Sequence, residues 1–261
     1  MIGIKGSRSS FHRELLYGLQ PVRAALRRRK RKFLELFIKI GKNNSGRISE
    51  IRKLAEEIGV PVNKVPVNRL KELCPDVVHQ GVVLRCGILP FSTISDLSLT
   101  LEGELPLIVV LDQIKDPHNL GAIMRTCGFF DVTAVVLSKD HTCGLTPVVS
   151  KSSSGVAEWL PVISVTNLTR FLQKQKSEGY WIVGLAEESN QSVSQLVRDK
   201  PLILVMGNEG RGIRPLIRRQ CDWLVSITGN PQVSSLNVSN AAAIALNHFY
   251  VSHNPINKYP Y

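Results

Sequence analysis

Several things are missing from this chain, and each absence narrows what it can be. No apolar run approaches the length of a membrane span, and the hydrophobic fraction of 43% is ordinary for a folded, soluble protein. Cysteine is sparse and unpatterned: Cys74, Cys86, Cys127, Cys143 and Cys221 are odd in number, with no C-x-x-C pair. That argues against a disulfide framework and for reduced thiols. Cys143 lies near His141, but two soft ligands without partners make a poor metal site, so no metal is expected. No G-x-G-x-x-G follows an early strand, and no G-x-x-x-x-G-K-[ST] occurs, which removes the dinucleotide fingerprint and the P-loop. Paired carboxylates of the glycosidase kind and Ser/His/Asp triads have no local signature either.

Acidic residues are also short, with 21 Asp and Glu against 33 Lys and Arg in 261 residues. The deficit is confined to one end. Residues 1–87 hold 19 basic against 7 acidic side chains, and residues 88–261 hold 14 of each. A neutral body with a basic head suits a polyanion partner, most often nucleic acid. The run Arg27-Arg28-Arg29-Lys30-Arg31-Lys32 is the centre of that charge, and its self-repulsion must be offset by something.

Length allows one large or two modest domains. Residues 1–12 read as a disordered tail and 13–88 as a small β/α domain. A helix is expected from Tyr17, with Pro21 in its first turn. Strands follow at Phe33–Ile40, Pro61–Val67 and Val82–Cys86, with helices over Gly46–Ile58 and Arg69–Cys74. Residues 89–105, with Pro90, Ser92, Ser95, Ser98 and Gly103, read as a linker.

Residues 106–254 form the body, and 255–261 a second tail. Apolar strands at Leu107–Leu111, Ala134–Leu137, Pro161–Ser164, Tyr180–Ala186, Pro201–Met206 and Trp223–Ile227 alternate with helices. The expected class is α/β, a mostly parallel sheet covered on both sides. Asn119 stands where an N-cap would stand before the helix that begins at Leu120, and Lys151–Gly155 is either a substrate loop or a plain connection. Two Gly/Ser/Asn loops, Gly207–Gly212 and the stretch closing on Ser235-Leu236-Asn237, sit at the ends of strands. Such loops make small-molecule pockets in α/β domains.

Three segments together resemble the SpoU (TrmH-like) family of RNA ribose 2′-O-methyltransferases, in the SPOUT class: Asp112 to Thr126, Val205 to Gly212, and Ile227 through Ser234-Ser235-Leu236-Asn237 to Ala241. Their order and spacing both match. Tyr17-Gly18 and Val78-His79-Gln80-Gly81 resemble the small L30e-like RNA-binding domain of one subgroup, which methylates a guanosine ribose in the peptidyl-transferase loop of large-subunit rRNA. Cys127 and Asp131 stand where the family usually has alanine and glycine.

The resemblance implies a trefoil-knotted C-terminal domain, a homodimer, and S-adenosylmethionine bound in the knot loops. It assigns Gly207, Asn208, Gly210, Ile227 and Leu236 to the cofactor site, and Asn119, Arg125, Glu209, Ser235 and Asn237 to catalysis, with Asn119 and Glu209 holding Arg125 and the ribose in register. Arg27 to Lys32 would grip ribosomal RNA through its phosphates. No membrane partner is implied. The Arg/Ser start and the cysteine content resemble a mitochondrial member, with a bacterial-type cytoplasm as the alternative compartment. A tRNA ribose methyltransferase and a non-catalytic assembly factor remain open as alternatives.

Overall fold

The computed structural model describes residues 12–41, 46–95, 105–230, 232–233 and 235–253. The tails expected at residues 1–12 and 255–261 lie, but for His12, outside them, as does the middle of the linker. The chain divides into two compact units that part between Pro90 and Phe91.

The first unit carries β1 (Arg13–Tyr17), α1 (Leu19–Arg28), β2 (Phe33–Lys39), α2 (Gly46–Glu57), β3 (Val62–Val65), α3 (Val67–Leu73) and β4 (Val82–Gly87). Its sheet runs β1-β4-β2-β3, with β4 antiparallel to β1 and β2, and β3 parallel to β2. Strand alternation sorts the side chains. Leu36, Ile38, Val82 and Leu84 join Val22 and Leu26 of α1 and Ile48 and Ile51 of α2 in one core. Phe37 and Val83, one residue out of phase, pack with Leu70 of α3 on the other face. Strand β1 was not anticipated: its five residues are too few and too polar at the start for a period-two pattern to stand out. Helix α1 follows it at once, and Gln80 Oε1 accepts from Leu19 N at 3.1 Å where Gly18 has no side chain to cap it.

The second unit carries β5 (Leu107–Leu111), α4 (Pro117–Phe129), β6 (Ala134–Ser138), α5 (Pro147–Ser152), β7 (Val162–Val165), α6 (Leu168–Ser177), β8 (Trp181–Leu185), β9 (Leu202–Met206), α7 (Pro215–Arg218), β10 (Trp223–Val225) and α8 (Val238–His253). The sheet order is β10-β8-β9-β5-β6-β7, and every pairing is parallel. Every residue of β5, β6 and β9 is buried, as a parallel sheet covered on both faces requires. Ile108, Val110, Val136 and Val205 pack with Leu168, Phe171 and Leu172 of α6. Their out-of-phase neighbours Val109, Leu111, Val135 and Leu204 are equally buried, on the side where α4, α5 and α8 pack together.

Two local readings need correction. The polar stretch from Lys151 is neither loop nor plain connection at its start: Pro147–Ser152 is helical, capped by Thr146, whose side chain accepts from Val149 N. It packs so closely on α4 that a Cβ on Gly121 would lie 2.4 Å from Ser152 Cβ. Ser92, inside the expected linker, already bonds to Val162 O at 2.8 Å beside β7.

Chain order sets the site. From β5 the chain steps outward through β6 and β7, then returns to build β8, β9 and β10 on the other side. The direction reverses between the neighbours β5 and β9. In open α/β sheets ligands bind beyond the carboxyl ends of the strands flanking such a reversal.

Candidate active site

Beyond those strand ends lie the loops that follow β5, β9 and β10. The first begins at Asp112 and feeds α4, whose N-cap is Asp116, not Asn119: Asp116 Oδ1 accepts from His118 N at 2.9 Å, and Pro117 occupies the first helical position. Asn119, in the first turn, is thereby free of capping. Its Nδ2 donates to Glu209 Oε1 at 2.9 Å. Asn237 Nδ2 reaches the same oxygen at 2.7 Å and Asn119 Oδ1 at 3.0 Å, closing a three-membered ring of side chains from the three loops. Val238 N adds a third, longer donor to Glu209 Oε1 at 3.3 Å. Asn237 also caps α8, since its Oδ1 accepts from Ser239 N at 2.9 Å at the start of that helix.

The loop after β9 is itself tightly closed. Asn208 and Gly212 exchange backbone hydrogen bonds at 3.2 and 2.8 Å. A Cβ on Gly207 would meet Gly212 C at 2.1 Å and Ile213 N at 2.3 Å, so only glycine fits there. Gly212 turns the chain with φ of 63°. Gly210 has no such obligation, its nearest neighbour being Asn208 Oδ1 at 3.7 Å. Asn208 ties this loop to the first, donating from Nδ2 to Gln113 O at 3.1 Å. Beyond β10, Ile227 is half-buried, Leu236 is 45% exposed and Ser235 is exposed; Ser234 lies outside the described residues. An acidic group held by three N–H donors and a glycine loop with accessible backbone thus lie beyond the carboxyl ends of the central strands, with two apolar side chains on the loop that follows β10.

A model of the SpoU rRNA methylase family matches residues 106–247, the whole of this arrangement. The chain belongs to the SpoU rRNA methylase family. A second model, for RNA 2′-O ribose methyltransferase substrate binding, matches residues 15–91 in the first unit. A 23S rRNA (guanosine-2′-O-)-methyltransferase of Pseudomonas putida is 39% identical over 237 residues, spanning 89% of this chain and 94% of its own. Among solved structures, an AdoMet-bound rRNA methyltransferase from Sinorhizobium meliloti aligns over 93% of this chain and 88% of its own, at a TM-score of 0.76 and 22% identity. The SpoU methyltransferase AviRb from Streptomyces viridochromogenes aligns over 92% and 90%, at 0.75 and 24%. At those identities the two structures speak for the shared fold.

Within the SpoU domain, Arg125 stands apart from the ring. It lies six residues along α4 from Asn119, which is about 9 Å of rise and roughly a third of a turn out of phase. Among the described residues it bonds neither to Asn119 nor to Glu209. It is exposed and lines a groove with Phe129, Phe130, Ser154, Trp159 and Ala243. The expectation that Asn119 and Glu209 hold Arg125 therefore fails within one chain, because a helix cannot bring two such positions together. Cys127, on the opposite side of α4, is fully buried, and desolvation pushes its thiol far above the usual range. It serves packing.

In the first unit, Arg31 departs from its neighbours in the basic run. Its side chain is buried, with Nη1 donating to Glu14 Oε2 at 2.7 Å and to Gly87 O at 3.2 Å. It fastens the turn between α1 and β2 to the sheet and is no part of a phosphate-facing surface. Arg27 is half tied, sharing Glu50 with Arg23. Arg28, Arg29, Lys30 and Lys32 are exposed. The ion pair of buried Asp112 with half-exposed Arg214 had no counterpart in the sequence reading, although a carboxylate ending a wholly apolar strand signals a partner elsewhere.

Proposed function

We propose that this chain is an S-adenosylmethionine-dependent methyltransferase acting on the ribose 2′-hydroxyl of a guanosine in large-subunit rRNA. The observation that carries this reading is the Asn119–Glu209–Asn237 ring at the reversal point of a SpoU sheet. The guanosine-2′-O-methyltransferase activity for which the Pseudomonas putida relative is named supports the nucleoside.

The residues present fit the cofactor. A purine needs a close backbone and apolar side chains, which the Gly207–Gly212 loop, Ile227 and Leu236 supply; the charged end of the molecule needs polar groups, which Asn208 and the loop peptides supply. When bound, the sulfonium supplies an already activated methyl group. The protein has then to align the hydroxyl and remove its proton. Glu209 is held by three N–H groups on Oε1 alone, which fixes the carboxylate and leaves Oε2 for a substrate hydroxyl. Asn119 sets the plane of that carboxylate from one side and Asn237 from the other. Arg125 carries a permanently charged guanidinium and is no base. It clamps the phosphate beside the target ribose and lowers the hydroxyl pKa electrostatically, and the proton leaves to a phosphate oxygen or water. Ser235, exposed beside Asn237, contacts the ribose.

The finer readings are proposals of the same kind. The target lies in the peptidyl-transferase loop, and in a mitochondrion it would be 16S rRNA. The first ten residues, with three Ser, one Arg, one Lys and no acids, suit a mitochondrial matrix location. The bacterial sources of the relatives favour a bacterial cytoplasm, and imaging of the tagged full-length protein separates the two. A trefoil knot, with α8 threaded through a loop, follows from the family resemblance. A homodimer would cover Phe129 on α4 and Ile244 and Val251 on α8, exposed by 80%, 43% and 43%; sedimentation velocity tests it. The activity itself is tested by incubating the protein with methyl-labelled S-adenosylmethionine and separated rRNA and tRNA. Label in tRNA alone, or in neither while RNA is still bound, would replace this reading with one of its rivals.

A further inference from the structure

Asp112 is the first residue past β5 and is 1% exposed. Its N–H donates to Met206 O at 2.8 Å, which keeps it in register with the end of β9. Its carboxylate reaches the far end of the loop that β9 opens. Oδ2 accepts from the Arg214 backbone N at 3.1 Å, Oδ1 accepts from Arg214 Nε at 2.8 Å, and Arg214 Nη2 stands 2.7 Å from Oδ1. A buried carboxylate with a weaker set of partners would be strongly penalised, so this contact is not an incidental surface pair. Arg214 immediately precedes α7 and is the last residue of the loop that begins at Gly207. Asp112 therefore pins the closing end of a loop whose opening end is its own strand neighbour. Between those ends, Gly207 against Gly212 and the Asn208–Gly212 pairing draw the backbone into a ring, with Glu209 at its tip.

We propose that Asp112 is a positioning residue of the cofactor site, which acts through Arg214 to hold the 207–214 loop in the shape that receives S-adenosylmethionine and presents Glu209. This rests on the methyltransferase reading above. Asp112 is too deeply buried to touch either substrate, so its effect is on the loop alone. Freed of the carboxylate, the loop samples open shapes, and cofactor must draw it closed. Affinity then falls, while turnover at saturating cofactor, where the loop is closed again, is largely kept.

The test is calorimetric titration of S-adenosylmethionine into the full-length wild type and the Asp112→Asn, Arg214→Gln and Arg214→Lys variants, with melting midpoints and steady-state methyl transfer measured alongside. Asp112→Asn is expected to raise both Kd and KM for the cofactor on the order of 10- to 100-fold, with a much smaller change in kcat. Arg214→Gln, whose side chain is half exposed and whose backbone bond to Asp112 survives, carries the test should Asp112→Asn not fold. It is expected to show a smaller loss of the same kind, with Arg214→Lys recovering part of it. Lower melting midpoints with cofactor affinity and KM within about twofold of wild type would overturn the proposal and leave Asp112 a purely structural residue. Failure of the wild type itself to bind the cofactor would instead overturn the functional reading on which the proposal rests.

Discussion

Gly207→Ala is the sharpest single perturbation the site offers. The added methyl carbon would lie 2.1 Å from Gly212 C, 2.2 Å from Gly212 O and 2.3 Å from Ile213 N. All three are backbone atoms, so no rotamer change relieves the clash. Ordinary contact begins at 3.4 Å, so the closure between 207 and 213 must open by about 1 Å or more, a displacement that in a binding site costs on the order of 100-fold. That corresponds to about 2.8 kcal/mol of cofactor affinity. Overpacking adds about 1–3 kcal/mol of lost stability to the transferase domain. Calorimetric titration with S-adenosylmethionine, with chemical denaturation beside it, reads both. Gly210→Ala is the contrast: its Cβ meets only Asn208 Oδ1 at 3.7 Å, and its stability is expected to stay within about 0.5 kcal/mol of wild type. Wild-type affinity in Gly207→Ala would refute the claim that the loop's closed shape makes the site.

Other residues give independent checks. Arg125→Lys keeps the charge but loses the planar fork, and methyl transfer is expected to fall at least about tenfold with cofactor affinity unchanged; full turnover would refute the phosphate clamp. Arg31→Ala removes a buried cation from Glu14 and is expected to destabilise the first domain on the order of 3 kcal/mol by denaturant melt. Arg28→Ala with Arg29→Ala should instead leave stability alone and lower the salt dependence of RNA binding by about 1 per lost phosphate contact; the reverse pattern would contradict the division drawn within the basic run. Burial pushes the thiols of Cys143 and Cys221 up to about 11 from 9.0. The folded chain thus holds these protons more tightly than the unfolded one. Stability is therefore expected to be level below pH 9 and to fall as pH rises toward 11, and a denaturation midpoint that stays flat across that window would contradict it.

How much of this was legible in the sequence varies with the range of the interaction. The strands of the large domain could be read almost to the residue, because a parallel sheet buried on both faces leaves runs such as Leu107–Leu111 wholly apolar. The candidate site residues could be named only from the family resemblance of their motifs. Their arrangement could not, since Asn119, Glu209 and Asn237 meet only through three separate strand ends. Asn119 was open to a capping reading because spacing alone placed the start of α4 at Leu120, where Pro117 and the Asp116 cap set it three residues earlier. Arg31 read as one more cation in a run of six, and nothing local marks the residue whose side chain turns inward to Glu14. Strand β1 escaped because its partner, β4, lies some seventy residues on, and its short stretch carries little pattern of its own.

One methyl transfer is decisive. Full-length protein incubated with tritiated S-adenosylmethionine and unmodified large-subunit rRNA should place label on the RNA, and mapping should find it at the 2′-oxygen of one guanosine, with Glu209→Gln and Arg125→Ala reducing it sharply. Label confined to tRNA, or found on a base, would contradict the central claim.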